Sequence, residues 1–167
     1  MIYLNIGSNL PSLSTGRINN IKRAINYLNE LKFNLIKVSS YYETPSYPNK
    51  KNPFFLNVGV LADYEFDEIT LIKTINQIEK KIGRIKSKKN DPRVCDIDII
   101  DFNGLIINSN SLTIPHPESH LRNFVIYPLK EIEPDWVHPI FNKKIDSFFL
   151  KLDKNSHNEI TRLGKSD

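Results

Sequence analysis

The order in which this chain changes its hydrophobic period limits its fold more than any other feature. "IYLNIG" at residues 2–7 alternates, with Ile2, Leu4 and Ile6 on one side and Tyr3 and Asn5 on the other, which reads as a half-buried strand. "STGRINNIKRAINYLNELK" then places Ile18, Ile21, Ile25 and Leu28 at helical spacing, with Ser14 or Thr15 as N-cap. "FNLIKVSSYYET" reads as a second strand and "FFLNVGVLAD" as a third. Between them lies a loop from Pro45 to Pro53, whose prolines cannot serve a central ladder. A second helix runs from Asp67 as N-cap through Ile69, Ile72, Ile75, Ile78 and Ile82 to Gly83 as terminator. A basic loop, Arg84 to Arg93, leads into a fourth strand, "VCDIDIIDF" at residues 94–102.

This β-α-β-β-α-β order is the split βαβ of ferredoxin-like α+β folds, in which two helices cover one face of the sheet and the other face stays open. Strand parity then assigns the faces. Leu56, Val58 and Val60 turn toward the helices, as do Cys95, Ile97 and Ile99, leaving Phe55, Asn57, Asp96 and Asp98 on the open face. Beyond residue 104 a loop-rich C-terminal extension is expected. It holds a short helix in "IPHPESHLRNF" with Pro117 at its first position and a last helix in "NKKIDSFFLKL". The polar tail after Asp153 is expected to fray.

The 167 residues read as a single domain with no room for a second. At 40% hydrophobic and 25% charged, the chain has a globular composition, and its one cysteine, Cys95, excludes an internal disulfide. No basic leader opens the sequence and no apolar run approaches membrane-spanning length, so a cytoplasmic protein without a membrane partner is expected. A net charge of +4 permits a polyanionic partner without demanding one.

Asp96 and Asp98, two apart on a strand, stand side by side with like charge, which is costly unless something positive lies between them. A bare Asp-x-Asp is more often two solvated acids. Here, however, Arg84, Lys86, Lys88, Lys89 and Arg93 crowd the loop just before the pair. Carboxylates for hard cations beside basic groups for phosphate oxygens are the two halves of a nucleotide–magnesium site. No P-loop is present, and "GSNLPSLSTG", which lacks the lysine, reads as a turn and helix cap. His116 and His120 bracket Glu118 and invite a zinc reading, which lacks a third ligand and a shared helical face. His116 is then either a phosphate or leaving-group contact or a turn histidine between prolines. Phe55 and Phe124 are either site aromatics or ordinary core residues.

Together these pieces resemble the 6-hydroxymethyl-7,8-dihydropterin pyrophosphokinase family of folate synthesis. The resemblance runs from "YLNIGSNL" through "YYETPSY", "FLNVGV" and "EKKIGR" to "DPRVCDIDII", "LTIPHPESHLRNFVIYPL" and "EIEPDWVHP". Its signature is Pro-Arg, two residues, then Asp-x-Asp and an aliphatic, here Pro92-Arg93-Val-Cys-Asp96-Ile-Asp98-Ile99.

The resemblance implies that ATP binds with two Mg²⁺ ions and that the pterin hydroxymethyl oxygen attacks the β-phosphorus, releasing AMP. It implies Asp96 and Asp98 as ligands of both metals and Arg84 and Arg93 as catalytic phosphate holders. Lys86, Ile99, Leu112, Thr113, His116 and Arg122 would complete the ATP site. Phe55 and Phe124 would sandwich the pterin, Asn57 would read its polar edge, and Thr44, Pro45 and Tyr47 would close one side. The sequence departs from the family in a basic loop about one residue shorter, in Asn90 or its neighbour where a sealing tryptophan stands, and in Ser111 where an arginine can occur. A monomer without a nucleic-acid partner is expected. The rival readings are a ferredoxin-like nucleic-acid-binding module, for which no strand carries an RNP-type pattern, and a metal-dependent nuclease using the same carboxylates.

Overall fold

The computed structural model describes residues 1–12, 15–85, 88, 91–109 and 112–165. The first part of the chain forms β1 (Ile2–Ser8), α1 (Arg17–Glu30), β2 (Asn34–Val38), β3 (Ser40–Thr44), β4 (Phe55–Asp63), α2 (Glu68–Ile82) and β5 (Asp96–Phe102). The extension adds a small hairpin of β6 (Ile107–Asn108) and β7 (Thr113–Ile114), a 3-10 turn at Ser119–Leu121, and α3 (Asn123–Ile132). After it come β8 (Val137–His138), β9 (Lys143–Lys144), α4 (Ile145–Phe149), α5 (Lys154–Asn158) and β10 (Thr161–Lys165).

The main sheet is antiparallel in the order β10-β3-β4-β1-β5. The stretch expected as one second strand is divided at Ser39. β2 pairs with the far end of β4 at Val60–Asp63, and β3 with its near end at Phe55–Asn57. The division is itself hydrogen-bonded. Ser39 N donates to Gly59 O at 2.9 Å, and Gly59 N donates to Ser39 Oγ at 2.9 Å.

Helices α1 and α2 cover one face, where Ile2, Leu4, Ile6, Leu56, Val58, Val60, Cys95 and Ile97 share a core with Ile21, Leu28, Leu71, Ile75, Ile78 and Ile82. Ile69, expected in that stripe, is 59% exposed. Asp67 caps α2 by accepting from Thr70 N at 2.7 Å, and Gly83 ends it in the left-handed region at φ 113°. The N-cap of α1 is Gly16, without a side-chain cap. Thr15 Oγ1 donates to Asn20 Oδ1 at 2.8 Å instead, and Ser14 lies outside the described residues.

The second face is not open along its length. α3 lays Val125, Ile126, Leu129 and Ile132 on Tyr3, Leu61 and Ile100, with Trp136, Ile145 and Phe148 behind them. β1 is therefore buried on both sides and not half-buried. Gly59 permits the approach, since a Cβ there would lie 3.0 Å from Pro128 Cβ. The β1–β5 register shifts between Tyr3 and Leu4, so that Ile100 joins the second core and Phe102 the first.

The extension also differs from expectation. Pro117 precedes only the 3-10 turn, and "NKKIDSFFLKL" yields a helix of just Ile145–Phe149. The tail expected to fray forms α5 and β10, and β10 pairs with β3. Its anchor is Arg162, which donates to Ser40 Oγ and to Glu131 at 3.0 and 2.9 Å. Among the described residues, no helix is long and apolar enough to cross a membrane.

Candidate active site

One end of the second face escapes α3, where β1 runs out between β4 and β5. Gly7 faces Asn57 on one side and Asp96 on the other, and Asn5 faces Asp98. The parity of each strand thus delivers Phe55, Asn57, Asp96 and Asp98 to one patch. Gly7 leaves the space for them: a Cβ there would meet Asn57 Oδ1 at 2.8 Å and Phe55 Cδ1 at 3.4 Å.

Two cavities flank the patch. The larger, about 790 Å³, runs along α2 and is lined by Asn76, Glu79, Lys80, Arg84, Lys88, Ile99, Leu112, Thr113 and His116. The smaller, about 220 Å³, is lined by Thr44, Pro45, Tyr47, Phe55, Asn57, Glu118 and Phe124. Arg93, Asp96, Asp98 and Arg122 line both. Every residue expected at the pterin and every described residue expected at ATP lies on one of these walls. Lys86, Asn90 and Ser111 lie outside the described residues.

The charges at the junction are unevenly shared. Asp96 accepts Arg84 at 2.8 Å and pairs with Arg93 at 3.0 Å. Arg84 also pairs with Glu79, a buried acid of α2 that accepts from Ile97 N at 2.8 Å. Burial raises the Glu79 carboxyl above its usual range, opposed by Arg84 and by the Ile97 N–H. Asp98 is pushed up to about 7 by burial and by the charge of Asp96, against the pull of Arg122 and Arg93. His116 is held below its usual value by burial first and Arg122 second. Its Nδ1 accepts from Glu118 N at 3.3 Å, so the neutral ring carries its proton on Nε2.

The smaller cavity has spare polar capacity. Among the described residues Asn57 Nδ2, Thr44 Oγ1 and Arg93 Nε are buried without a hydrogen-bond partner, while Asn57 Oδ1 accepts from Asn5 Nδ2 at 3.4 Å. Such groups need a ligand or water. Tyr47 lines the cavity yet is 75% exposed, so this part of the wall is open to solvent.

Two residues of the site went unread in the sequence. Glu79 was hidden in the helical stripe directly after Ile78, where a buried acid breaks the pattern. Asn9, read only as part of a turn, joins the two loops: its Oδ1 accepts from Arg93 N at 2.7 Å, and its Nδ2 donates to Ser46 Oγ and Pro53 O at 3.2 Å each.

A family model described as 7,8-dihydro-6-hydroxymethylpterin-pyrophosphokinase (HPPK) matches residues 3–134. The chain is 35% identical over 147 residues to the 2-amino-4-hydroxy-6-hydroxymethyldihydropteridine pyrophosphokinase of Aquifex aeolicus, covering 88% of this chain and 89% of that protein. It is 36% identical over 161 residues to the folic acid synthesis protein FOL1 of Dictyostelium discoideum, covering 95% of this chain but only 24% of the relative. Among solved structures, a Plasmodium falciparum HPPK-DHPS chain superposes with a TM-score of 0.74 at 15% identity, over 96% of this chain and 46% of that one. That last likeness speaks to the fold alone. The chain spans about a quarter of FOL1 and under half of the Plasmodium protein.

Proposed function

The chain belongs to the 7,8-dihydro-6-hydroxymethylpterin-pyrophosphokinase family, and from that membership we propose how its residues divide the reaction. The hydroxymethyl oxygen of 6-hydroxymethyl-7,8-dihydropterin attacks the β-phosphorus of ATP. The bond from that phosphorus to the α–β bridging oxygen breaks, the diphosphoryl group passes to the pterin, and AMP leaves. One observation carries this reading. A large basic cavity and a small aromatic one meet at Asp96, Asp98, Arg93 and Arg122, where an in-line transfer between two substrates needs its charges.

The larger cavity takes ATP. Arg84 and Arg93, paired with Asp96 in the free protein, exchange it for phosphate oxygens, to which guanidinium groups offer a matching fork. Lys86, expected beside them from the family resemblance, lies outside the described residues. Arg122 adds charge at the junction, and the Nε2 proton of His116 serves a phosphate or the leaving oxygen. Ile99, Leu112 and Thr113 flank the adenosine. In the smaller cavity Phe55 and Phe124 stack on the pterin, Asn57 and Thr44 use their free donors on its polar edge, and Pro45 and Tyr47 close over it.

Asp96 and Asp98 suit two Mg²⁺ ions. They are adjacent hard-oxygen donors, and a cation between them would offset the burial and repulsion that raise the Asp98 carboxyl. Among the described residues no cluster of three or more acids, histidines and cysteines could hold a metal by itself. The remaining coordination falls to phosphate oxygens and water, as magnesium prefers. When bound, the ions neutralise charge on the transferring and leaving oxygens.

The strand order β5-β1-β4-β3, with α1 and α2 on one face, supports the ferredoxin-like reading of the core. The nucleic-acid and nuclease readings find no support in this family membership. Purified protein with ATP, Mg²⁺ and 6-hydroxymethyl-7,8-dihydropterin should form AMP only when the pterin is present. No AMP, or AMP at the same rate without the pterin, would overturn the reading.

A further inference from the structure

We propose that Arg17 is a positioning residue whose guanidinium clamps the two ends of the loop that walls the pterin cavity. Arg17 opens α1, where a cation opposes the helix dipole and no acid in the first turn offsets it. Its place is explained by what it reaches. Nη2 pairs with Glu43 Oε1 at 2.7 Å, and Nη1 donates to Phe54 O at 2.7 Å. Glu43 precedes Thr44 and Phe54 precedes Phe55, and Thr44 and Phe55 are the last register partners of the β3–β4 ladder. Beyond that pair the chain leaves the sheet to form the loop. Thr44 and Phe55 both line the smaller cavity, whereas Arg17 does not.

A ladder end tends to fray, and a displacement there would move the ring of Phe55 and the hydroxyl of Thr44 together. One planar fork bonded to a carboxylate on β3 and to the carbonyl just before β4 holds the pair in register. Asn9 bolts the same loop farther out, at Ser46 and Pro53, and the Arg93 guanidinium lies 5.9 Å from the Phe55 ring centre. The Arg17 and Glu43 side chains are 33% and 26% exposed, so the pair adds little to global stability. Its effect falls on the loop and on the ligand.

The inference rests on reading the smaller cavity as the pterin site, and its test separates the two. Hydrogen exchange without ligand is compared in wild type, R17A and R17K, followed by calorimetric titration of pterin in the presence of Mg²⁺ and a non-hydrolysable ATP analogue. In R17A, exchange should quicken across residues 44–55 but not across α2. Pterin Kd and KM should rise about five- to tenfold while the ATP-analogue Kd and kcat stay within about twofold. R17K, which can reach Glu43 without bridging to Phe54, should fall between. Unchanged exchange and pterin affinity would overturn the clamp, as would equal losses for both ligands with a lowered Tm. Quickened loop exchange in a protein whose wild type takes no pterin would uphold the clamp and sink the pterin reading.

Discussion

Asp96 and Asp98 project side by side from β5, and among the described residues arginines pair directly only with the first. Arg84 and Arg93 bracket Asp96 at 2.8 and 3.0 Å. Asp98, held up to about 7, sees Arg122 and Arg93 only as more distant charges. In the free protein one carboxylate is neutralised by arginine, while burial and its neighbour's charge favour the protonated form of the other.

This asymmetry sets a pH dependence. The Asp98 carboxyl is raised when folded, so the folded state binds the extra proton between about pH 4 and pH 7. Its stabilising share is complete below about pH 4 and lost as pH rises through about 7. Asp98→Asn should remove that loss, gaining about 1–3 kcal/mol over wild type at pH 8 and little at pH 4. Denaturant unfolding at the two pH values measures it; a variant less stable than wild type at pH 8 would contradict the assignment. The same variant, like Asp96→Ala, should have no measurable turnover.

Glu79 supports the site from within α2. Glu79→Ala leaves the Ile97 N–H without its acceptor and Arg84 without its buried partner, at a cost of about 2–4 kcal/mol. Glu79→Gln keeps an acceptor for Ile97 and should lose less than half as much. Thermal unfolding should rank wild type above Gln above Ala, and both variants should show a raised KM for ATP because Arg84 is then held by Asp96 alone. An Ala variant as stable as wild type would show that the buried acid is not engaged.

Phe55 and Phe124 face the smaller cavity from β4 and α3. Truncating either to Ala should weaken pterin binding by about 1–3 kcal/mol, as for other ring stacking on aromatic side chains. ATP binding should hardly change. Calorimetry finding both ligands weakened alike would assign these rings to the fold and not to the pterin.

Strand alternation made the site's centre legible. A period of two is a hard geometric rule, so Phe55, Asn57, Asp96 and Asp98 were placed on one side from sequence alone, and Asp67 and Gly83 bounded α2 by cap chemistry. What escaped was set by distant partners. α3 carries Pro128 and follows a loop, so its propensity was masked, and its covering of Tyr3 depends on Gly59 letting two backbones approach. β10 is polar and exposed, and it has no pattern of its own. It exists because β3 offers an edge and Glu131 holds Arg162. Asn9 and Glu79 matter through hydrogen bonds to backbone that no local motif announces.

In the proposed reaction the β-phosphorus is attacked and the diphosphoryl group moves whole. A carboxylate pair with two magnesium ions could also serve a kinase that takes the γ-phosphoryl group and releases ADP. The decisive measurement follows ATP labelled at the γ-phosphate through turnover with 6-hydroxymethyl-7,8-dihydropterin and Mg²⁺. The label should appear in the terminal phosphate of a pterin diphosphate, with AMP formed in equal amount and no ADP. Stoichiometric ADP, or a labelled pterin monophosphate, would contradict it.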